Sequence, residues 1–363
     1  MTLRKKITGF ITGTFSHVNK VPVCRTCCSV IFFPGILQMR FNQIKTFKIL
    51  ISLLSATVLF LAGCVNWTDL PDHRVELRET LQTLAAASDD PLMKLHFNSI
   101  IKVVDAGDDG QLEATRNINA IWSAFADTAK SSGVRQRESY LNRSTPLIIA
   151  WASPTDGQVS FTWLQLPTQW DPAKEYPLYV SLHGLWDVAG SRLSYLNYPF
   201  QNPANSFAFE DGYNIAPWGR GNLWYRGISE TDIRECIETI KNLVHIDESR
   251  QYLSGHSMGG FGAWHIALGS PDTWAALGIH AGALTYDNNS EFNAAAVKTL
   301  RNLPTYFVVG TTDDLYGVNK TAYQLLVDAN NPHLSFVSFS GGHDYRQENV
   351  EKMYLWMKEF DRN

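Results

Sequence analysis

The sequence predicts an α/β fold: a mostly parallel central sheet flanked by helices, with an N-terminal helical extension. Residues 146–363 contain short apolar runs that alternate with stretches of helical periodicity, the pattern of a parallel sheet with crossover helices. The run YPLYVSLHG (176–184) is continuously apolar, which is typical of a strand covered on both faces. Residues 72–132 show helical periodicity without strand signals.

Charge is distributed unevenly along the chain. Residues 1–63 contain eight Lys or Arg and no Asp or Glu, whereas the remaining residues carry 23 basic and 35 acidic side chains. The acidic body argues against binding to nucleic acid, and also against a basic face that would hold the protein on a membrane surface.

The basic N-terminal stretch has the features of an export signal. We predict that residues 1–38 precede the natural start at Met39 and are unstructured, and that 39–63 form a signal peptide. This segment has a charged start and an apolar run, 49–62, that is shorter than the ~20 residues that span a bilayer. Its end, Leu-Ala-Gly-Cys64, resembles the lipobox of bacterial lipoproteins. The resemblance implies cleavage before Cys64 and lipidation of that cysteine, in a bacterial cell envelope where the protein faces the periplasm or the cell surface. The alternative is an uncleaved anchor.

The expected mature chain divides near residue 145. For residues 64–145 we predict two or three helices, interrupted at Asp90-Pro91 and at 107–110, that act as a cap, a spacer or a structural brace. For residues 146–363 we predict a catalytic domain that begins with a hairpin around 155–157. Strands follow at 176–184, near 249–257, at 305–314 and at 334–344, with an amphipathic helix at 230–246.

The stretch GHSMGGFGAW (255–264) joins a predicted strand to a predicted helix. Within it, Gly255, Ser257 and Gly259 form the G-x-S-x-G nucleophile elbow in the strand–turn–helix context that this motif requires. We expect the glycines to remove side chains that would clash with neighbouring backbone. Ser257 Oγ would then be exposed at a helix N-terminus, where developing negative charge is favoured.

A serine nucleophile needs a base, and the base needs an acid that orients it. With this elbow the chain order is serine, then Asp or Glu, then histidine. Asp313 and Asp314 end one downstream strand and His343 follows another, so either aspartate fits the order. The other histidines that could compete for the role, at positions 256, 265, 280 and 333, are expected to serve packing or to lie at the surface.

Two backbone N–H groups are needed to stabilise the oxyanion. One should be that of Met258, directly after the nucleophile, and the other that of a residue in the loop after the early strand. That strand ends in His183-Gly184, so Leu185 N–H is the expected second donor.

The segments YPLYVSLHG, IDESRQYLSGHSMGGFGAWHIALGSPDTWAAL, VVGTTDD and GGHD together resemble the α/β-hydrolase superfamily. They are most similar to a branch containing esterase D, polyhydroxybutyrate depolymerase-like enzymes and feruloyl or acetylxylan esterases, with relatives called predicted peptidases. The resemblance covers about residues 146–360 and implies a serine carboxylesterase that uses no metal or organic cofactor. Gly317 stands where these proteins often have a proline that closes the acid loop. The resemblance nevertheless implies Asp313 as the acid, because it lies three residues past Gly310, the spacing that these esterases use, and Asp314 is the alternative.

We expect hydrolysis of small-molecule or saccharide esters, with short-chain acyl or feruloyl groups. Residues 64–145 are too few for the propeller that many related peptidases carry, since at least four blades of about 40 residues are needed. Two alternatives are a serine peptidase of the prolyl-oligopeptidase type and a catalytically silent binding lipoprotein. Aromatic residues are dense between 186 and 225, and Trp186, Trp218 and Trp224 could contact substrate or form an apolar cover. The sequence does not indicate the oligomeric state.

Overall fold

The computed structural model describes residues 70–107, 110–126, 146–201, 209–282 and 294–362. The predicted unstructured start, the signal peptide and Cys64 lie outside these residues. The described residues belong to one compact unit, Thr68–Asn363. Across these ranges, no helix combines the length and the apolar character needed to cross a membrane.

The predicted α/β fold is confirmed: three helices come first, then three strands in succession, and from residue 176 onward strands and helices alternate. The strands are β1 (Leu147–Ala152), β2 (Val159–Gln165), β3 (Tyr176–Leu182), β4 (Tyr213–Pro217), β5 (Ile246–His256), β6 (Ala276–His280), β7 (Thr305–Gly310) and β8 (Leu334–Phe339). The helices are α1 (Arg74–Ala87), α2 (Pro91–Ala106), α3 (Gln111–Ala126), α4 (Arg192–Gln201), α5 (Ile228–Lys241), α6 (Met258–Gly269), α7 (Ala294–Val297), α8 (Tyr316–Asp328) and α9 (Gln347–Met357).

The eight strands form one sheet in the order β1-β2-β4-β3-β5-β6-β7-β8. The β1–β2 and β2–β4 pairs are antiparallel, and the remaining pairs are parallel. The carboxyl ends of the parallel strands therefore meet at one edge of the sheet, where ligand sites of open α/β folds form.

Side chains from alternate positions of the strands build a core on each face of the sheet. In β5, Leu253 belongs to the larger core and Tyr252 to the smaller one. The larger core contains α6, through Trp264, and the three N-terminal helices. The smaller core lies under α9, where Met353 is buried. The continuous apolar strands of the sequence are thus explained by burial on both faces.

The N-terminal helical segment packs directly on β1. Two side chains of α2 accept hydrogen bonds from its backbone: His96 Nδ1 from Ile148 N–H at 2.8 Å and Ser99 Oγ from Ala150 N–H at 3.0 Å. Burial lowers the pKa of His96 to about 3, so the imidazole is neutral and Nδ1 keeps its lone pair for this bond. The helices expected as a cap or brace therefore share a core with the sheet.

Candidate active site

Ser257 lies in the turn between β5 and α6, as the elbow motif predicts. Its φ of +54° is in a region that residues with a side chain rarely adopt. A Cβ added to Gly255 would lie 2.2 Å from Gly259 C and O, and one added to Gly259 would lie 2.0 Å from Leu182 O. Because neither position carries a side chain, the first turn of α6 can pack against the ends of β3 and β5.

The strand ends bring Ser257, His343 and Asp313 into one chain of hydrogen bonds. His343 Nε2 is 2.7 Å from Ser257 Oγ, and His343 Nδ1 is 2.9 Å from Asp313 Oδ2. Asp313 follows β7 and His343 follows β8, so each side chain reaches the elbow from a neighbouring strand end. In the sequence, His343 is 86 residues from Ser257 and 30 residues from Asp313. The parallel pairing of the strands brings the three side chains together.

Asp313, which is the predicted acid, and the alternative Asp314 lie in different environments. Asp313 is buried, and its Oδ1 accepts a second hydrogen bond from Leu315 N–H at 2.8 Å. Asp314 is exposed, and it is Asp313 that hydrogen-bonds the imidazole. Adjacent residues at a strand end point in different directions, so the structure brings one of the two aspartates to the base.

Asp313 raises the proton affinity of His343. The hydrogen bond from Nδ1 to the Asp313 carboxylate raises the pKa of His343, against the lowering effect of partial burial. With Nδ1–H donated to the carboxylate, the Nε2 lone pair of the neutral ring faces Ser257 Oγ. This is the arrangement in which an imidazole can take a proton from a serine.

Other histidines lie near the elbow but in different roles. His256 is half-buried, its ring centroid is 5.2 Å from that of His343, and desolvation of the ring lowers its pKa well below the ordinary value. Burial also lowers the pKa of His280 to about 4. His265 Nε2 is 2.9 Å from Glu230 Oε2, and the His333 ring packs on Phe360.

The loop after β3, residues 183–190, passes over the elbow, and we call it the oxyanion loop. A Cβ added to Gly184 would lie 3.2 Å from His256 O and 3.4 Å from Ser257 Cβ. The glycine therefore lets the loop approach the nucleophile, and the predicted donor Leu185 comes next in the chain. The second predicted donor, Met258, is the first residue of α6, whose early N–H groups have no partner within the helix.

The three tryptophans considered as substrate contacts separate into two groups. Trp218 is 5% exposed, stacks on Phe161 and donates its indole N–H to Ala189 O at 2.9 Å, so it packs in the core, in keeping with the apolar cover rather than with a substrate contact. Trp186 and Trp224 are half-buried. Trp186 lines a cavity of about 410 Å³ beside the oxyanion loop, which Leu185, Tyr198 and His256 also line.

Residues 218–227 received no catalytic role from the sequence, yet several of them bond to the oxyanion loop. The reciprocal bonds between Asn222 and Trp186 are an example. The run GRGNLWYRG contains three glycines in nine residues. Such a run predicts an unusual backbone conformation, but it does not indicate which residues the segment will contact. In the described part of the chain, no group of His, Cys, Asp and Glu side chains has the geometry to hold a metal ion.

Residues 222–362 match the model of the family described as Putative esterase. The matched segment is similar to this family. It contains Ser257, Asp313 and His343 and covers less than half of the chain, starting after the oxyanion loop.

Curated proteins that are similar over parts of the chain include an acetylxylan esterase and a dipeptidyl-peptidase. The bifunctional acetylxylan esterase/xylanase XynS20E of Neocallimastix patriciarum is 29% identical over 144 residues, which are 39% of this chain and 20% of that protein. Dipeptidyl-peptidase 5 of Porphyromonas gingivalis is 28% identical over 162 residues, or 40% of this chain and 23% of that protein. The chain thus spans about a fifth of the length of these relatives.

Solved structures were also compared. A thermostable esterase is 18% identical with a TM-score of 0.47, covering 61% of this chain and 64% of its own. A ferulic acid esterase is 18% identical with a TM-score of 0.46, covering 58% of this chain and 96% of its own.

Proposed function

We propose that the protein is a serine hydrolase that cleaves carboxylic esters through an acyl-enzyme. The observation that carries this proposal is the continuous hydrogen-bonded chain Asp313–His343–Ser257, with the serine held in a strained elbow at a helix N-terminus. The match of residues 222–362 to the esterase family supports it.

In the proposed mechanism, Ser257 Oγ attacks the ester carbonyl carbon while His343 Nε2 takes the hydroxyl proton. The backbone N–H groups of Met258 and Leu185 stabilise the negative oxygen of the tetrahedral intermediate. His343 then gives its proton to the departing alcohol oxygen as the acyl-enzyme forms. A water molecule, deprotonated by His343, attacks the acyl carbon, and its proton returns to Ser257 Oγ as the carboxylic acid leaves. Throughout, Asp313 stabilises the imidazolium and keeps the ring oriented.

For the substrate, we propose esters with short-chain acyl groups, or acyl and feruloyl groups on saccharides. The half-buried Trp186 in the cavity wall beside the oxyanion loop supports an acyl or sugar group that can stack on an aromatic ring. A resemblance to an enzyme named as an acetylxylan esterase agrees with this class.

The decisive experiment labels the mature protein with a fluorophosphonate and measures hydrolysis of chromogenic esters of increasing acyl length. Ser257→Ala should abolish labelling and reduce kcat by about 10⁴-fold or more. Ser270→Ala is the matched control, because Ser270 follows the far end of α6 and its Oγ donates to Ile266 O of that helix. Labelling that persists in Ser257→Ala, or a wild-type protein that neither labels nor hydrolyses esters, would refute the assignment and favour a silent binding lipoprotein.

A second candidate function is peptide hydrolysis, which the similarity to a dipeptidyl-peptidase favours. The two functions share the same nucleophile and differ in leaving group. We expect kcat/KM for short-chain acyl or feruloyl esters to exceed that for dipeptide amides under the same conditions. The opposite ranking would make the peptidase the correct assignment.

We also propose that the enzyme is lipid-anchored at Cys64 in a bacterial cell envelope. The Leu-Ala-Gly-Cys end of a signal-length apolar run supports this location. Cys64→Ser should leave unprocessed precursor in the membrane fraction. Normal processing and partitioning of that variant would contradict the proposal.

A further inference from the structure

The segment 218–227 has an unusual backbone, and we call it the clamp loop. It follows β4, and six of its ten residues have positive φ: Gly219, Arg220, Gly221, Trp224, Tyr225 and Gly227. Three of the six carry bulky side chains, for which this region is rarely populated. Such conformations persist only where the surroundings impose them, and they concentrate at functional sites.

The clamp loop bonds to the oxyanion loop next to the proposed donor Leu185. Asn222 Nδ2 donates to Trp186 O at 2.9 Å, while Asn222 Oδ1 accepts from Trp186 N–H at 3.3 Å. The Asn222 amide thus hydrogen-bonds both the N–H and the C=O of Trp186, the residue that follows Leu185. A pair of this kind limits rotation of the peptide units on both sides of Trp186.

Two further bonds hold the oxyanion loop near its ends. Tyr225 Oη donates to His183 O at 3.0 Å, and the Trp218 indole N–H donates to Ala189 O. Close packing adds to these bonds, because a Cβ on Gly221 would lie 2.8 Å from Ala189 O. The clamp loop therefore contacts the oxyanion loop at its start, middle and end.

The clamp loop in turn contacts α5, the β1–β2 turn and α6. Arg220 Nε donates to Asp232 of α5 at 2.9 Å, and its two terminal nitrogens donate to Asp156, in the β1–β2 turn, at 3.0 and 3.1 Å. The Tyr225 ring lies against Gly262 of α6, where an added Cβ would be 2.4 Å from the ring. The helix that carries the nucleophile and the loop that carries the second donor thus share one support.

We propose that the clamp loop fixes the oxyanion loop in its reactive position and that Asn222 is the central positioning residue. This inference rests on the proposed hydrolase mechanism, in which donors must already lie 2.7–3.1 Å from the place where the oxyanion develops. Asn222 acts through Trp186 and the neighbouring Leu185 N–H. Its bonds keep that donor aimed when no substrate is present.

The test compares Asn222→Ala, Asn222→Asp and a matched control, Asn331→Ala. Asn331 also uses its amide on backbone, donating to Leu300 O and Leu303 O and accepting from His333 N–H, but these residues precede β7 and β8, at the opposite edge of the sheet. For each folded variant, kcat and KM are measured on a short-chain chromogenic ester. Amide hydrogen exchange of residues 183–190 is followed by mass spectrometry.

For Asn222→Ala we expect kcat to fall by about 10²-fold with KM changed less than about threefold, since small misplacements of a catalytic group have this size of effect. Exchange at 183–190 should accelerate. Asn222→Asp keeps an acceptor for Trp186 N–H but places a carboxylate against Trp186 O, so its kcat should also fall, while Asn331→Ala should change neither kcat nor exchange at 183–190.

Unchanged exchange at 183–190 in Asn222→Ala would overturn the proposal, as would an effect on KM alone or an equal loss of kcat in Asn331→Ala. Exchange is independent of turnover. A wild-type protein that hydrolyses no ester would therefore refute the proposed function, while the exchange data would still decide whether Asn222 holds the loop.

Discussion

Asp313→Asn is the substitution that tests the site most directly. In the structure, Asp313 Oδ1 accepts from Leu315 N–H while Oδ2 accepts from His343 Nδ1–H. An asparagine has one oxygen and one NH₂ group, so an oxygen kept on Leu315 N–H turns the NH₂ group toward His343. Nδ1 must then be the acceptor and the ring proton moves to Nε2, where it blocks transfer from Ser257 Oγ.

Because the wrong tautomer removes the base without changing the shape of the site, kcat should fall by about 10⁴-fold, as in other serine triads with this change. This loss corresponds to about 5.5 kcal/mol of transition-state stabilisation, at 1.36 kcal/mol for each factor of ten. The assay is steady-state hydrolysis of a chromogenic acetyl ester, with circular dichroism to verify folding. Asp314→Asn is the matched control, since its side chain is exposed, and should keep kcat within about threefold. A folded Asp313→Asn that keeps more than a tenth of wild-type kcat, or a larger loss in Asp314→Asn, would refute the reasoning.

Three further predictions follow from the same structure. Since the pKa of His343 is raised and only its neutral form acts as base, kcat/KM should increase with pH through a midpoint above 6.5; a midpoint below 6.5 would contradict this. His96→Leu leaves the buried Ile148 N–H without its acceptor and should lower the free energy of unfolding by about 1–3 kcal/mol in urea titrations; an unchanged midpoint would argue against that bond. Trp186→Ala should raise KM for feruloyl esters more than for acetyl esters, whereas Trp218→Phe should lower Tm without altering acyl preference; equal effects of Trp186→Ala on both esters would remove it from the acyl site.

Burial of His96 also makes the free energy of unfolding depend on pH, so that it decreases as the pH is lowered. The pKa is about 3 in the folded protein and 6.5 when the side chain is exposed on unfolding. Between these values the unfolded chain binds a proton that the folded protein does not, so stability is complete above pH 6.5 and is lost as the pH falls toward 3. The full difference amounts to about 5 kcal/mol, at 1.36 kcal/mol for each unit of pKa. His96→Leu should flatten this acid limb of the stability profile.

The parts of the site that the sequence predicted depend on local signals. The elbow is marked by glycines at fixed spacing, and the base and acid follow apolar strands whose ends must meet at one edge of the sheet. The meeting of serine, acid and base at that edge could therefore be predicted before any contact was known, because parallel pairing brings those strand ends together. The preference for Asp313 over Asp314 rested on its spacing from Gly310 in similar esterases. The structure adds the contact itself, since a shift of one residue at a strand end changes which side chain faces the base.

The clamp loop and the contacts of α2 could not be predicted in the same way. Arg220, Trp224 and Tyr225 adopt positive φ although none is a glycine, so their conformation is imposed by tertiary contacts rather than by local preference. His96 and Ile148 are separated by 52 residues and by the change from helical to strand periodicity. A buried histidine in a helix gives no indication of which backbone group it will meet. Likewise, the sequence could not tell whether Trp218 or Trp186 packs in the core, because aromatic residues are common both in cores and in binding sites.

The bonds from α2 to β1 have a consequence for how the catalytic region can be isolated. β1 is the outermost strand on its side of the sheet, and Ile148 and Ala150 direct their N–H groups away from the sheet toward His96 and Ser99. An uncovered outer strand presents such groups to other chains and promotes edge-to-edge aggregation. A fragment trimmed to residues 146–363 would carry the whole triad and yet expose this apolar strand. We therefore expect such a fragment to self-associate and precipitate, and to be rescued in part by adding the helices of residues 70–126 as a separate polypeptide.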